Sequence, residues 1–206
     1  MSLVFAYHLW PGVLTGGYVG VDVFFVISGY LMTMHLLGKQ PRTLPDLLHF
    51  WGRRIRRLLP ASFLVLAATA VAARLLAPPT QWEDIARQVI GSALYVQNWL
   101  LAGSSVDYLA ADDAPTPVQH FWSLSLEEQF YLGWPVLLLA VFWAARKLRA
   151  EPAAALRWVV LAAIAASLAV SVLATAAEPG SAYFITPARI WELAAGGLVA
   201  TVAPLA

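Results

Sequence analysis

The chain has 206 residues, of which 60 % are hydrophobic and 12 % charged, with a formal net charge of +1. Soluble domains carry about twice that share of charged side chains. A mean hydropathy of +0.69 and nine tryptophans, residues that anchor at membrane interfaces, exclude an ordinary soluble domain and point to a polytopic α-helical membrane protein.

Crossing the hydrocarbon takes about 20 apolar residues. Residues 1–10 are apolar but too few, and Pro11-Gly12 ends them, so they read as the last half of a helix. Full spans are predicted over 19–37, over 58–77 (closed by Pro78-Pro79), over 124–145 with Pro135 as a kink, over 158–177, and over 184–205, punctuated by Pro187 and Gly196-Gly197. Residues 89–101 are apolar yet too short to span and read as a re-entrant or interfacial segment. The expected fold class is therefore all-α: a polytopic transmembrane helix bundle of five full spans and a partial first helix, with one short re-entrant or interfacial segment. There is no alternating pattern of the outer-membrane barrel type and no basic n-region or cleavage site of a signal peptide.

Lys and Arg concentrate in cytoplasmic loops. The loop expected over 38–57 holds Lys39, Arg42, Arg53, Arg54, Arg56 and Arg57, and a second basic stretch holds Arg146, Lys147, Arg149 and Arg157. The segment 78–121 sets Glu83, Asp84, Asp107, Asp112 and Asp113 against Arg87 alone. The basic loops are expected inside and the acidic one outside. His8 then lies near the outer end of its helix, and the acids Glu127 and Glu128 fall on that outer side, opposite the arginines.

His8, in FAYHLWPG, is an imidazole at the end of an apolar segment. It could serve as a general base or be an interfacial histidine beside Trp10. Asp22 opens the stretch GGYVGVDVFFVISGYLMT. It suits a helix N-terminus or orients His8 across the short loop. Ser28, Gly29 and Tyr30 read as helix-packing residues, because small side chains let helices approach closely. In FWGRRIRRLLPA, the charge of Arg53, Arg54, Arg56 and Arg57 serves topology alone or grips phosphate with guanidinium forks. Ser125 and Glu128, three apart before an apolar run, read as a capping box, which leaves Glu127, Gln129 and His120 without an account. A histidine and two acids there could build a polar site. Arg189 and Glu192, three apart, read as a pair. No metal-ligand spacing, nucleophile elbow or phosphate-binding glycine loop is present. The absence of cysteine excludes disulfides, thiolate nucleophiles and cysteine-ligated metals.

Together GGYVGVDVFFVISGYLMT, FWGRRIRRLLPA, QNW, HFWSLSLEEQFYLGWP and RIWELAAGG resemble the acyltransferase-3 family of integral membrane O-acyltransferases. The wording is most similar to the bacterial branch that O-acetylates cell-surface polysaccharides. The resemblance implies transfer of an acyl group, usually acetyl, from acyl-CoA to a hydroxyl of a cell-surface polysaccharide or lipid-linked glycan. The expected setting is a multi-pass protein of the bacterial inner (cytoplasmic) membrane. It implies acetyl-CoA as donor substrate, no bound cofactor and no nucleic-acid partner. By the family pattern His8 matches the catalytic histidine, with Asp22, Glu127 and Glu128 as further catalytic candidates, and Arg53, Arg54, Arg56 and Arg57 match the motif that holds the donor. The family carries an arginine upstream of the histidine and further spans. Residues 1–206 are thus expected to be a partial acyltransferase-3 membrane domain, with the first helix truncated, C-terminal spans missing and no SGNH-type domain. A different class remains as the alternative: one half of a proton-coupled transporter or flippase, with His8, Asp22, Glu127 and Glu128 as a proton path. A purely structural membrane subunit is a third.

Overall fold

The computed structural model describes residues 19–106 and 116–202, so His8 and the partial first helix lie outside the described residues. Every regular element among those residues is helical: α1 (Val19–Gly38), α2 (Leu44–Leu76), a 3-10 turn (Pro79–Gln81), α3 (Trp82–Ala93), α4 (Gln97–Val106), α5 (Phe121–Leu148), α6 (Pro152–Ala177), α7 (Pro179–Ala182) and α8 (Thr186–Val202). Four of them, α1, α2, α5 and α6, are long and apolar enough to cross a membrane. They coincide with the first four predicted spans. The fifth predicted span becomes α8, described over 17 residues, and Phe184 lies in the turn before it. The protein is an all-α polytopic bundle.

The chain divides into two compact units. One comprises Met1–Gln40, Ala140–Leu168 and Ile190–Ala206; the other comprises Pro41–Leu139 and Ala169–Arg189.

In the first unit α1 and α8 meet backbone to backbone. A Cβ on Gly29 would lie 1.8 Å from the Leu193 carbonyl oxygen, and one on Gly196 would lie 1.8 Å from that of Val26. Each helix thus presents a glycine to the other's main chain, which is the close approach that small residues permit. Ser28 and Gly29 are buried, as their packing role requires. The Trp191 amide donates to Ser167 Oγ at 2.9 Å, tying α8 to α6. Glu151 starts α6 by accepting the amides of Ala153 and Ala154, two of the donors a helix leaves unpaired at its N-terminus.

In the second unit α2 begins well before residue 58. The Asp46 carboxylate accepts the amides of Arg42 and Thr43, both at 2.9 Å, and the Thr43 hydroxyl at 2.8 Å. Thr43-x-x-Asp46 is thus the N-terminal signature of this helix, with a proline in its first turn. This corrects the loop expected over 38–57: the arginine run sits inside a helix. Hydropathy registers only the apolar part of α2, not the polar turns before it.

The short apolar segment is a helical hairpin. Arg74 stacks over the Trp82 ring at 3.9 Å, Val89 and Ala93 pack against the cluster that Leu66 forms with Val118 and Phe121, and Tyr95 Oη bonds Ser62 Oγ at 3.3 Å. These contacts run antiparallel along α2, so α3 descends beside it. The chain then reverses at Tyr95, φ 55°, with the Val96 amide on the Gly91 carbonyl at 2.8 Å and the Tyr95 amide on that of Ser92 at 3.2 Å. That is the Schellman closure, here with tyrosine in the position glycine usually takes. From the reversal α4 leads to α7. The hairpin ends level with Ser62, inside the length of α2, as a re-entrant element would.

Candidate functional site

The start of α5 places the site. Val118 and Phe121 pack on Leu66, partway along α2 rather than at its end. Two turns further into α5, Glu128 is met by the long side chain of Arg54, which reaches up from the N-terminal half of α2. Arg54 Nε lies 3.0 Å from both Glu128 carboxylate oxygens, and Nη2 lies 2.7 Å from Oε1. This is a charge-assisted fork between groups that are 26 % and 17 % exposed. The Arg54 guanidinium also stacks on the Tyr131 ring, 3.4 Å from its centroid, a cation–π contact. The Tyr131 hydroxyl donates to Glu127 Oε1 at 2.5 Å, and Glu127 is 6 % exposed. The indole N–H of Trp51 donates to the Tyr131 carbonyl at 3.2 Å.

These distances correct two expectations. The arginine run and the two glutamates are not on opposite sides of the membrane, since an ion pair holds Arg54 and Glu128 at one depth. Nor do Ser125 and Glu128 cap α5. The helix starts at Phe121, Ser125 Oγ bonds back to the Phe121 carbonyl at 2.9 Å, and Glu128 pairs with Arg54. The S-x-x-E signature occurs by chance in a helix interior.

The other expected site residues fall as follows. Arg53, Arg56 and Arg57 are exposed on α2. Asp22 lies in the first described turn of α1, half-buried. His8 lies outside the described residues. His120, just before α5, packs beside the Phe121 ring; desolvation holds its imidazole below the ordinary value of 6.5, against a hydrogen bond with the Pro117 backbone that raises it. Among the described residues no three His, Asp or Glu side chains gather as a metal site.

Sequence reasoning left Gln129 unassigned and gave QNW no role. The structure joins them. Gln129 Nε2 donates to Asn98 Oδ1 at 2.9 Å and to the Tyr95 carbonyl at 2.8 Å. Its Oε1 accepts Thr186 Oγ1 at 2.5 Å and the Trp99 indole at 3.1 Å. Asn98 Nδ2 reaches Thr186 Oγ1 at 2.9 Å and the Phe184 carbonyl at 3.1 Å. Gln97 Nε2 donates to Gln88 Oε1 at 2.7 Å, which the Thr116 hydroxyl also reaches. A fully buried amide at 98 would be costly alone; linked this way Asn98 and Gln129 lock the hairpin onto α5 and the start of α8, while Gln97 ties α4 back to α3. The available signal was the run Gln-Asn-Trp itself, three hydrogen-bonding side chains bordering an apolar segment.

Four membrane-length helices, two of them joined in the second unit by a partly buried ion pair, define a polytopic membrane protein. The profile of an acyltransferase domain matches residues 1–205, and the chain belongs to that acyltransferase family. It is similar to YrhL of Bacillus subtilis, provisionally named a peptidoglycan O-acetyltransferase: 36 % identical over 204 residues, covering 98 % of this chain and 31 % of that one. It is similar to the peptidoglycan O-acetyltransferase OatA of Listeria monocytogenes: 34 % over 203 residues, 98 % of this chain and 32 % of that one. To the O-acetyltransferase OatA of Staphylococcus aureus it is 43 % identical over 136 residues, 66 % of this chain and 22 % of that one. The chain thus spans about a third or less of the length of these relatives. No solved structure matches it.

Proposed function

We propose that this chain is the membrane part of an O-acetyltransferase that moves an acetyl group from acetyl-CoA to a hydroxyl of a cell-surface glycan of the peptidoglycan kind, in the bacterial cytoplasmic membrane. The observation that carries it is the match of residues 1–205 to an acyltransferase domain. The likeness over 98 % of the chain to named peptidoglycan O-acetyltransferases supports the acceptor class. Cations on α2 fit a donor rich in phosphate.

The transfer balances simply. His8 takes the proton of the acceptor hydroxyl, with Asp22 orienting or charging the imidazole. The hydroxyl oxygen attacks the thioester carbonyl, a C–O bond forms, and the C–S bond breaks. The CoA thiolate leaves and receives the proton.

The test is acetyl transfer from isotopically labelled acetyl-CoA in membranes that hold the protein expressed from its complete gene, with and without His8→Ala. Label in the glycan from wild type, and at least about a hundredfold less from a variant expressed equally, is expected for loss of a general base. Equal labelling by both removes His8 from the reaction. No label from wild type, with the organism's own glycan supplied, favours a proton-coupled carrier instead.

A further inference from the structure

We propose that the arginine run is divided in function. Arg54 and Glu128 form a positioning pair that touches neither donor nor acceptor, while Arg53, Arg56 and Arg57 form the face that takes the donor's phosphates. This rests on the reading of an acetyl-CoA donor.

The division follows from geometry. Successive helix residues turn by about 100°, so Arg57 lies about 40° from Arg53 and about 60° from Arg54, and it is the side-chain contacts rather than the helix period that set Arg54 apart. Arg53, Arg56 and Arg57 are exposed, and among the described residues their side chains make no ion pair. Arg54 turns toward α5 instead. Its Nε–Nη2 edge is committed to Glu128 and one face to Tyr131. A phosphate on that edge would have to displace a carboxylate already held by a fork. Both oxygens of Glu128 are engaged by Arg54 in turn, so neither serves as a base without breaking the pair. The pair's charges cancel, and it adds little attraction for an anion.

What it does add is register. Trp51 on the Tyr131 carbonyl, Arg54 on Glu128 and Tyr131, and Tyr95 on Ser62 pin α2 along its length. The pair shares this register with the Trp51 and Tyr95 contacts, which still hold α2 when both charges are replaced together by apolar side chains but not when one charge is left stranded.

The test is kinetic, on the protein from its complete gene, purified monodisperse. Arg57→Met, losing one charged contact to phosphate, is expected to raise the acetyl-CoA KM about tenfold at nearly unchanged kcat. Arg54→Met and Glu128→Met singly strand a charge and are expected to lose most activity. Arg54→Met/Glu128→Met together are expected to recover it, with donor KM within about twofold of wild type, because apolar replacement of both members of a buried pair is often neutral. Arg54→Lys keeps a cation for Glu128 and is expected to lower thermal stability while leaving donor KM alone. The proposal is overturned if Arg54→Lys raises donor KM as Arg57→Met does, or if the folded double variant stays as inactive as the singles. A wild type that uses no acetyl-CoA at all would instead overturn the donor reading beneath it.

Discussion

Trp51 answers a defect that Pro135 creates. Proline lacks an amide hydrogen, so position 135 cannot give the Tyr131 carbonyl, four residues earlier in α5, the usual i+4 hydrogen bond. The Trp51 indole supplies one at 3.2 Å. Trp51→Phe keeps the ring and removes that donor, which is expected to destabilise the protein by about 1 kcal/mol. In a Pro135→Ala background the backbone amide gained at that position can reach the Tyr131 carbonyl, and the same tryptophan substitution is expected to cost almost nothing. Unfolding measured in detergent for the four proteins of this cycle decides it. Equal cost in both backgrounds would mean that the indole contributes only its ring.

Between elements, the decisive quantity is how closely two backbones can approach. At the crossing of α1 and α8 the atoms facing Gly29 and Gly196 are main-chain carbonyl oxygens at 1.8 Å from a built Cβ. Neither can swing aside as a side chain would. Gly29→Ala and Gly196→Ala are each expected to cost about 3 kcal/mol or more, the upper end for overpacking. Gly133→Ala, where an added Cβ meets nothing within 4 Å, is expected to stabilise α5 by up to about 1 kcal/mol through helix propensity. Thermal unfolding of the three variants checks this, and a tolerated Gly29→Ala would show that the two helices can separate freely.

The same scale shows what sequence could reveal. Apolar length located α1, α5 and α6, and the small residues Ser28-Gly29 marked a crossing, because both signals are local. The beginning of α2 was legible too, in Thr43-Leu-Pro-Asp46, but a hydropathy count passes over it. The Arg54–Glu128 pair was not legible: its members lie 74 residues apart and meet only because α5 starts beside the middle of α2. Charge counting assumed that each span runs from one surface to the other, and so it put the two residues on opposite sides. Gln129 and Asn98 were hidden for a similar reason, since amides carry no charge and obey no period. Identical local patterns also mislead, as Ser125-x-x-Glu128 did inside a helix.

For the whole molecule, the consequence is a second unit in which a hairpin too short to span packs beside α2. α2 has 33 residues, about 50 Å of helix, against about 30 Å of hydrocarbon, so it is longer than the membrane core is thick. The hairpin reversal at Tyr95 is level with Ser62, 12 residues along α2 from Arg74, where Trp82 stacks, or about 18 Å. The hairpin tip is thus expected to lie within the hydrocarbon, its polar side sealed by the amide network and Leu94, 67 % exposed, turned outward. These 206 residues hold no cysteine, so single cysteines placed in them report depth against the unsubstituted protein as the blank. In right-side-out membrane vesicles a charged, impermeant maleimide is expected to modify Glu83→Cys and to spare Arg42→Cys; in inside-out vesicles the order reverses, as basic segments inside require. Leu94→Cys is expected to react in neither orientation and to react with a membrane-permeant maleimide in both. If Leu94→Cys reacts with the impermeant reagent as fast as Glu83→Cys does, the hairpin lies outside the hydrocarbon, and the amide network faces water rather than the membrane interior.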